Sequence, residues 1–470
     1  MKMFIAGEWV EAPETIEVFN PYDDSVVDTV PHAGHHEVER ALESAARGAA
    51  VMAELPAHER YRILLNTASL LRESQEDFAR LITQEAGKVL QDSRVEVSRA
   101  VETMELSAEE AKRLHGETIP LDAAPGGQGK FGFTLRVPCG VLVAIGPFNF
   151  PLNLLCHKVG PALAAGNSVI AKPPTDTPLT ALRFTELLLE AGLPPEGIQC
   201  VTGPGTSVGE QLCTDNRVRK ISFTGSRSVG ERISKVAGIK KVTLELGANS
   251  PLIIMPDADL EQVARATAVT GYANAGQVCI STQRVLVNDR VYGDFLDALK
   301  PEVESIVLGN PLEEQTQMGP MIREHDAIRV ENWIQEAVSE GSTLVTGGGR
   351  QRSLVSPTVV ADVAPNARLS CEELFGPAVA VIRFQDINEA ISLANDSEYG
   401  LSAGIFTGNL DWAMKFVRQV HSGNLMVNWG PQWRIDLMPY GGLKQSGYGK
   451  EGPRYAVEEM TELKTVVFHL

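Results

Sequence analysis

The chain has 470 residues, 43% hydrophobic and 22% charged, a globular composition with length for two to four domains of about 100–200 residues each. Its net charge of −18 shows no overall basic footprint, so it is not read as a nucleic-acid binder. The six cysteines, Cys139, Cys156, Cys200, Cys213, Cys279 and Cys371, include no CxxC pair, which excludes a zinc knuckle or thioredoxin-type motif and suits a reducing, cytoplasmic setting.

Met1–Val10 lacks the basic and long apolar stretches of a secretory signal, and the first 20 or so residues read as small strands. Val38, Leu42, Ala45, Ala46 and Ala49 fall at helical spacing, and similar patterns follow in Arg60–Ala86 and Lys88–Leu114. Pro120–Gly132 is rich in Gly, Ala and Pro and reads as a break. Val137–Cys156 carries no charge over 20 residues, long enough for a bilayer. Pro138, Pro147, Pro151, Asn149 and Asn153 make it instead a buried strand, a turn and the start of a helix, so no membrane partner is expected.

From there short apolar runs alternate with helical patterns. Strands are predicted at Val141–Ile145, Ser168–Ala171, Ile198–Val201, Lys220–Phe223 and Lys241–Leu246, separated by helices such as Asn153–Ala165 and Val229–Ala237. A second series follows Pro251: a strand at Leu252–Met255, a helix at Leu260–Ala275, then strands at Arg284–Val287, Thr358–Val363, Val379–Phe384, Ala403–Thr407 and Gly423–Asn428. Such βα alternation predicts an α/β fold with a doubly wound parallel sheet, the architecture of dinucleotide-binding domains, followed by a second α/β domain. The apolar strand that ends the sequence, Thr465–Leu470, needs covering, and a partner subunit would do so.

Two Gly-rich loops follow strands and open helices, Gly203–Gly209 and Phe223–Gly230, where free amides favour a phosphate. Neither is GxGxxG. Glu245 lies 20 residues after Gly225 at a strand's C-terminal end. That spacing suits a ribose anchor or a carboxylate base facing the crevice, and spacing alone does not choose. Cys279 lies just beyond a helical pattern that Gly276 can close, among the polar Asn274, Gln277, Ser281 and Thr282, which argues against a dry core cysteine. No spacing of His, Cys and Asp suggests a metal.

Seven strings in order carry a resemblance: Phe148-Asn149-Phe150-Pro151, Ala171-Lys172-Pro173, Phe223-Thr224-Gly225-Ser226, Leu244-Glu245-Leu246-Gly247, Gly276-Gln277-Val278-Cys279, Glu372-Glu373-Leu374-Phe375-Gly376-Pro377 and Pro439-Tyr440-Gly441-Gly442. Together they span nearly the whole chain, which resembles the aldehyde dehydrogenase superfamily, in particular its lactaldehyde, phosphonoacetaldehyde and non-phosphorylating glyceraldehyde-3-phosphate dehydrogenase branch. The resemblance implies that Cys279 is the nucleophile, Asn149 the oxyanion donor and Glu245 the base that hydrolyses a thioester. It implies cofactor contacts at Lys172, Thr175, Gly225, Ser226, Glu373 and Phe375, with Pro147 and Phe148 beside them.

NAD-preferring relatives typically carry glutamate where this chain has Thr175. NADP is therefore expected to be accepted alongside NAD, with a preference for it left open. Arg434, His157 and Arg99 are the candidates for holding a small anionic aldehyde; pairing of Arg434 with Asp436 or Asp257 would instead make it structural. By the resemblance, 1–117 and 137–247 form the cofactor domain and 248–444 the catalytic domain. Residues 118–136 and 445–470 would form a bridging, oligomerising segment of a homodimer or homotetramer. Alternatives are a coenzyme A-acylating member, which the presence of Glu245 disfavours, and a non-catalytic dinucleotide-binding relative.

Overall fold

The computed structural model describes residues 1–470. Val141–Ile145, Ser168–Lys172 and the neighbouring Ile198–Cys200 pair in parallel to one side, while Val218–Thr224 and Lys241–Glu245 pair in parallel to the other. Met3–Ile5, Glu8–Val10 and Gly447–Tyr448 complete the eight-stranded sheet antiparallel at its edges. Val141–Ile145, Ser168–Lys172 and Ile198–Cys200 are buried along their whole length because helices such as His35–Glu54, Asn153–Ala164 and Leu179–Glu190 cover them. The chain therefore starts at Val141–Ile145, winds outward, and returns beside that strand at Val218–Thr224. At this reversal the loops after Ile145 and Thr224 splay apart and leave a crevice at the strand ends.

A second sheet has seven strands in the order Thr343–Thr346, Thr358–Ala361, Ala378–Phe384, Thr282–Asn288, Ser250–Ile254, Ser402–Phe406 and Asn424–Val427, parallel except for the first. Each sheet has its own apolar core. A third, small cluster of Ala248, Val278, Ile280, Leu401 and Tyr440 packs against Phe150 and Cys279. Thr118–Ile119, Lys130–Pro138 and Thr461–His469 form a separate antiparallel ribbon, its long strands in register from Lys130 against His469 to Pro138 against Thr461. No helix is long and apolar enough to cross a membrane.

Local differences from the sequence pattern have physical causes. The helical stretch after Arg60 breaks at Ser74, which ends Ala57–Glu73 and begins Gln75–Ala86. The break lets the second helix turn and bury Phe78, Ala79 and Ile82. The Pro120–Gly132 break is real, but its last residues already belong to the ribbon strand from Lys130.

One buried ion pair fixes the approach to the crevice. Lys88 and Glu96 have fully buried side chains and pair directly, and the Lys88 ammonium lies 3.7 Å from the centre of the Phe150 ring. Glu96 Oε1 also accepts the amides of Leu152 at 2.9 Å and Asn153 at 3.1 Å, satisfying the start of helix Asn153–Ala164. Glu96→Ala would strand a buried ammonium and two amides, a cost on the order of 3–5 kcal/mol. A lowered melting temperature is expected, and an unchanged one would show that the pair does not hold this corner.

Candidate active site

The crevice is a cleft of about 860 Å³. Pro147, Phe148 and Asn149 enter it from the loop after Val141–Ile145, Gly225 and Ser226 from the loop after Val218–Thr224, and Glu245 from the end of the next strand. Lys172 and Thr175 line it, as do Cys279, Glu373 and Phe375. The candidate nucleophile, base and oxyanion donor thus meet in one place although they lie far apart in the chain.

Cys279 is held by an unusual turn. The preceding helix ends at Tyr272, earlier than the expected closure at Gly276, because Asn274 (φ 50°) and Ala275 (φ 54°) are already left-handed. Gly276 continues at φ 68°, and a Cβ there would meet the Gly376 carbonyl at 2.1 Å. Phe375, on the loop packed against this turn, is also left-handed at φ 49°. Non-glycine residues in this region each cost about 1–3 kcal/mol, and such strain concentrates at functional sites. The Gln277 side chain braces the turn, donating to the Asn274 carbonyl at 3.1 Å and accepting the Ile322 amide at 2.9 Å.

Asn149 Nδ2 donates to the Gln277 carbonyl at 2.8 Å, so its amide is oriented from the Cys279 loop itself. An NH₂ group has two hydrogens, and the second remains available as a donor. Both carboxylate oxygens of Glu245 are buried without a hydrogen-bond partner. Burial, then the nearby Glu451 carboxylate, pushes the Glu245 pKa well above the ordinary range, against the pull of Arg434, Lys158 and Lys450. Gly441 lies beside it: a Cβ there would meet the Gly449 carbonyl at 2.5 Å and Glu245 Oε1 at 2.9 Å.

Beyond Cys279 the structure gathers charges that the sequence did not pair. Glu451 Oε1 accepts from Lys158 Nζ at 2.7 Å, and Glu451 Oε2 accepts from both Arg434 terminal nitrogens at 3.1 Å. Lys158 also donates to Thr224 Oγ1 at 2.7 Å. Although burial opposes it, these cations hold the Glu451 carboxyl down at about 2. Asp436 takes Arg99 in a two-pronged pair at 2.8 and 3.0 Å, Asn153 Nδ2 at 3.0 Å and His157 Nε2 at 2.8 Å. Burial works against its charged form, yet His157 and Arg99 hold Asp436 far below the ordinary carboxylate range.

Arg434 therefore pairs with Glu451 rather than with Asp436 or Asp257; Asp257 instead accepts from Thr407 and Gly408. Arg434 Nη2 lies 3.1 Å from His157 Nε2. Burial and then Arg434 push the His157 pKa down. The structure brings Arg99, His157 and Arg434 together, but through two carboxylates, and none of them lines the large cleft. Tyr440, Lys158 and Glu451 were given no role from the sequence. Tyr440 lies in the last family-like string, the one available signal; Lys158 and Glu451 carry none, because only the fold makes them neighbours.

Elsewhere along the cleft, Lys172 Nζ donates to the Pro173 carbonyl at 2.8 Å, and burial pushes its pKa down to about 8. Arg323 pairs with Asp176 next to Thr175, and Arg232 with Glu210; all four charged residues line the cleft. Glu373 Oε1 accepts the Ala248 amide at 2.9 Å, and burial raises its pKa to about 7. A Cβ at Gly247 would collide with this carboxylate at 2.0 Å. Phe148 and Phe375 meet edge to face, centroids 5.9 Å apart.

The sequence model of the aldehyde dehydrogenase family matches residues 9–466. The chain belongs to that family. This aldehyde dehydrogenase is 47% identical to a 3-sulfolactaldehyde dehydrogenase of Priestia megaterium over 100% of this chain and 98% of the relative. It is 42% identical to a lactaldehyde dehydrogenase of Methanococcus maripaludis, over 99% of this chain and all of the relative. A solved NADP-dependent glyceraldehyde-3-phosphate dehydrogenase from Bacillus halodurans, complexed with NADP, superposes with a TM-score of 0.97 at 37% identity, covering 99% of this chain and 98% of that one. The α/β fold expected from the sequence is thus the one found.

Cys279 is partly buried, and burial, reinforced by Glu373 and Glu245, pushes its thiol up to about 12. The reactive thiolate fraction then grows about tenfold per pH unit well past neutrality. Iodoacetamide labelling of Cys279, followed by peptide mass spectrometry on cofactor-free protein, is expected to climb from pH 7 to pH 9 without levelling. A plateau near pH 8 would contradict the burial argument.

Proposed function

We propose that this aldehyde dehydrogenase oxidises a small anionic or hydroxylated aldehyde to the free carboxylic acid, using NADP or NAD. The observation that carries this is the convergence of Cys279, Glu245 and Asn149 at one end of a single cleft.

The cleft fits a dinucleotide. Ser226 precedes the ten-residue helix Arg227–Val236, whose first amides face the phosphate position. The Lys172 side chain and the Glu373 carboxylate, which Gly247 lets pack close to its backbone, lie along the cleft and suit ribose hydroxyls. Thr175 adds no negative charge, Asp176 is neutralised by Arg323, and Arg232 lies on the same wall, all of which favour acceptance of a 2′-phosphate. The bound nicotinamide would accept the hydride.

The chain's own residues do the rest. The Cys279 thiolate adds to the aldehyde carbon, and the resulting oxyanion receives hydrogen bonds from Asn149 Nδ2 and the Cys279 amide. One such donor is typically worth about 3 kcal/mol. Loss of hydride leaves a thioester on Cys279. Glu245, a stronger base than a solvated carboxylate because burial disfavours its charge, takes a proton from the attacking water. Lys158 and Glu451 lie behind it.

The anionic substrate class rests on Arg434 and His157, gathered beyond Cys279, and on relatives named for sulfolactaldehyde and lactaldehyde. Arg434 Nε has no partner, leaving one donor free. The ribbon strand Thr461–His469 lies at a sheet edge with Leu463, Val467 and Phe468 exposed, which supports a homodimer or homotetramer.

The test is formation of reduced nicotinamide with NAD or NADP from lactaldehyde, glyceraldehyde 3-phosphate, succinate semialdehyde and an apolar aldehyde. Cys279→Ala is expected to lose on the order of a thousandfold or more. Glu245→Gln is expected to keep a single burst of reduced nicotinamide and then stall. Arg434→Ala is expected to raise KM for the anionic aldehydes roughly tenfold more than for the apolar one. Preference of the wild type for the apolar aldehyde would sink the substrate assignment. Product formation that depends on added coenzyme A would sink the hydrolytic one.

A further inference from the structure

We propose that the Tyr440 hydroxyl is a catalytic hydrogen-bond donor to Cys279, placed against the sulfur to stabilise the thiolate; this rests on Cys279 being the nucleophile. Tyr440 Oη lies 3.3 Å from Cys279 Sγ, and this is the hydroxyl's one hydrogen bond within the chain. Tyr440 is 3% exposed. A buried phenol usually seeks an oxygen or nitrogen partner, so its commitment to a sulfur calls for a reason.

The ring is held from several sides. The Arg434 guanidinium sits 4.0 Å above its centre. Its backbone pairs with Glu451 in both directions, Tyr440 N to Glu451 O at 3.1 Å and Glu451 N to Tyr440 O at 2.7 Å. Ala248, Val278, Ile280 and Leu401 enclose it. The same burial pushes the phenol's pKa well above 10, so it stays a neutral O–H donor throughout the working range.

A neutral thiol is a weak acceptor and a thiolate a strong one. The bond therefore strengthens when Cys279 ionises, which is differential stabilisation of the reactive form. It opposes the electrostatic effect of the Glu245 and Glu373 carboxylates on the sulfur and acts in the same direction as the Arg434 charge. Gly441, which follows Tyr440, leaves room for Glu245, so one short turn serves both the nucleophile and the base.

Tyr440→Phe removes one oxygen and keeps the ring beneath Arg434. Cys279 labelling by iodoacetamide, read by peptide mass spectrometry, is compared between wild type and variant from pH 7 to pH 9, with equal melting temperatures confirming the fold. Loss of a hydrogen bond to a charged sulfur lowers the thiolate fraction by roughly ten- to a hundredfold, and the greater nucleophilicity of the more basic thiolate returns about half of that on a logarithmic scale. A net three- to tenfold slower labelling at every pH is expected. Labelling unchanged within twofold, or faster because the phenol only shielded the thiol, would overturn the proposal. Labelling needs no turnover. If the function proposed above is wrong, Cys279→Ala keeps its activity while this comparison still gives its own answer.

Discussion

Everything around the reaction centre depends on charges that have been taken out of water and must find one another. Glu451 is the pivot. It joins Lys158, on the helix that begins beside Asn149, to Arg434, on the loop before Tyr440. An isolated buried carboxylate would cost several kcal/mol or become protonated, so the two cations are a condition of its burial. This pairing also ties the segment around Glu451 against the half of the molecule built on the eight-stranded sheet. Gly447–Tyr448 then extend that sheet, and Pro453–Glu459 pack on its helices.

The consequence is a division of labour between the two sides of Cys279. On the cleft side there is open space beside a helix N-terminus, with the ion pairs Arg323–Asp176 and Arg232–Glu210 along the lining. On the other side nearly every charge is committed: Asp436 to Arg99 and His157, Glu451 to Lys158 and Arg434. Glu245 stands at the boundary with both oxygens unpartnered, which is costly for stability and useful in a base. The left-handed residues Asn274, Ala275 and Phe375 lie at the same boundary, where strain is tolerated because the tightly packed surroundings hold it in place.

Much of the fold was legible because its signals are local. Parallel strands buried on both faces read as continuous apolar runs, and Val141–Ile145 is found at the predicted boundaries, with Asn153–Ala164 within one residue of them. The Cys279 turn was harder. Gly276 reads as the terminator, yet the helix ends at Tyr272, because Asn274 and Ala275 already take left-handed conformations, with the Asn274 carbonyl held by Gln277. The helices Tyr292–Glu304 and Glu324–Ser339 carry no chemical motif, and nothing in their local sequence relates them to the site.

The sequence by itself determined the class of architecture, through strand and helix periodicity, and the family, through seven short strings. Both are properties of neighbours along the chain. Only the tertiary structure decided which charges pair. Arg99 meets Asp436 across 337 residues and Lys158 meets Glu451 across 293, separations at which no local pattern records the partner. The same holds for Tyr440 against Cys279: a phenol and a thiol 161 residues apart become a hydrogen-bonded pair because the connection before Thr282–Asn288 and the one after Asn424–Val427, two strands of the second sheet, meet in the small apolar cluster around Tyr440.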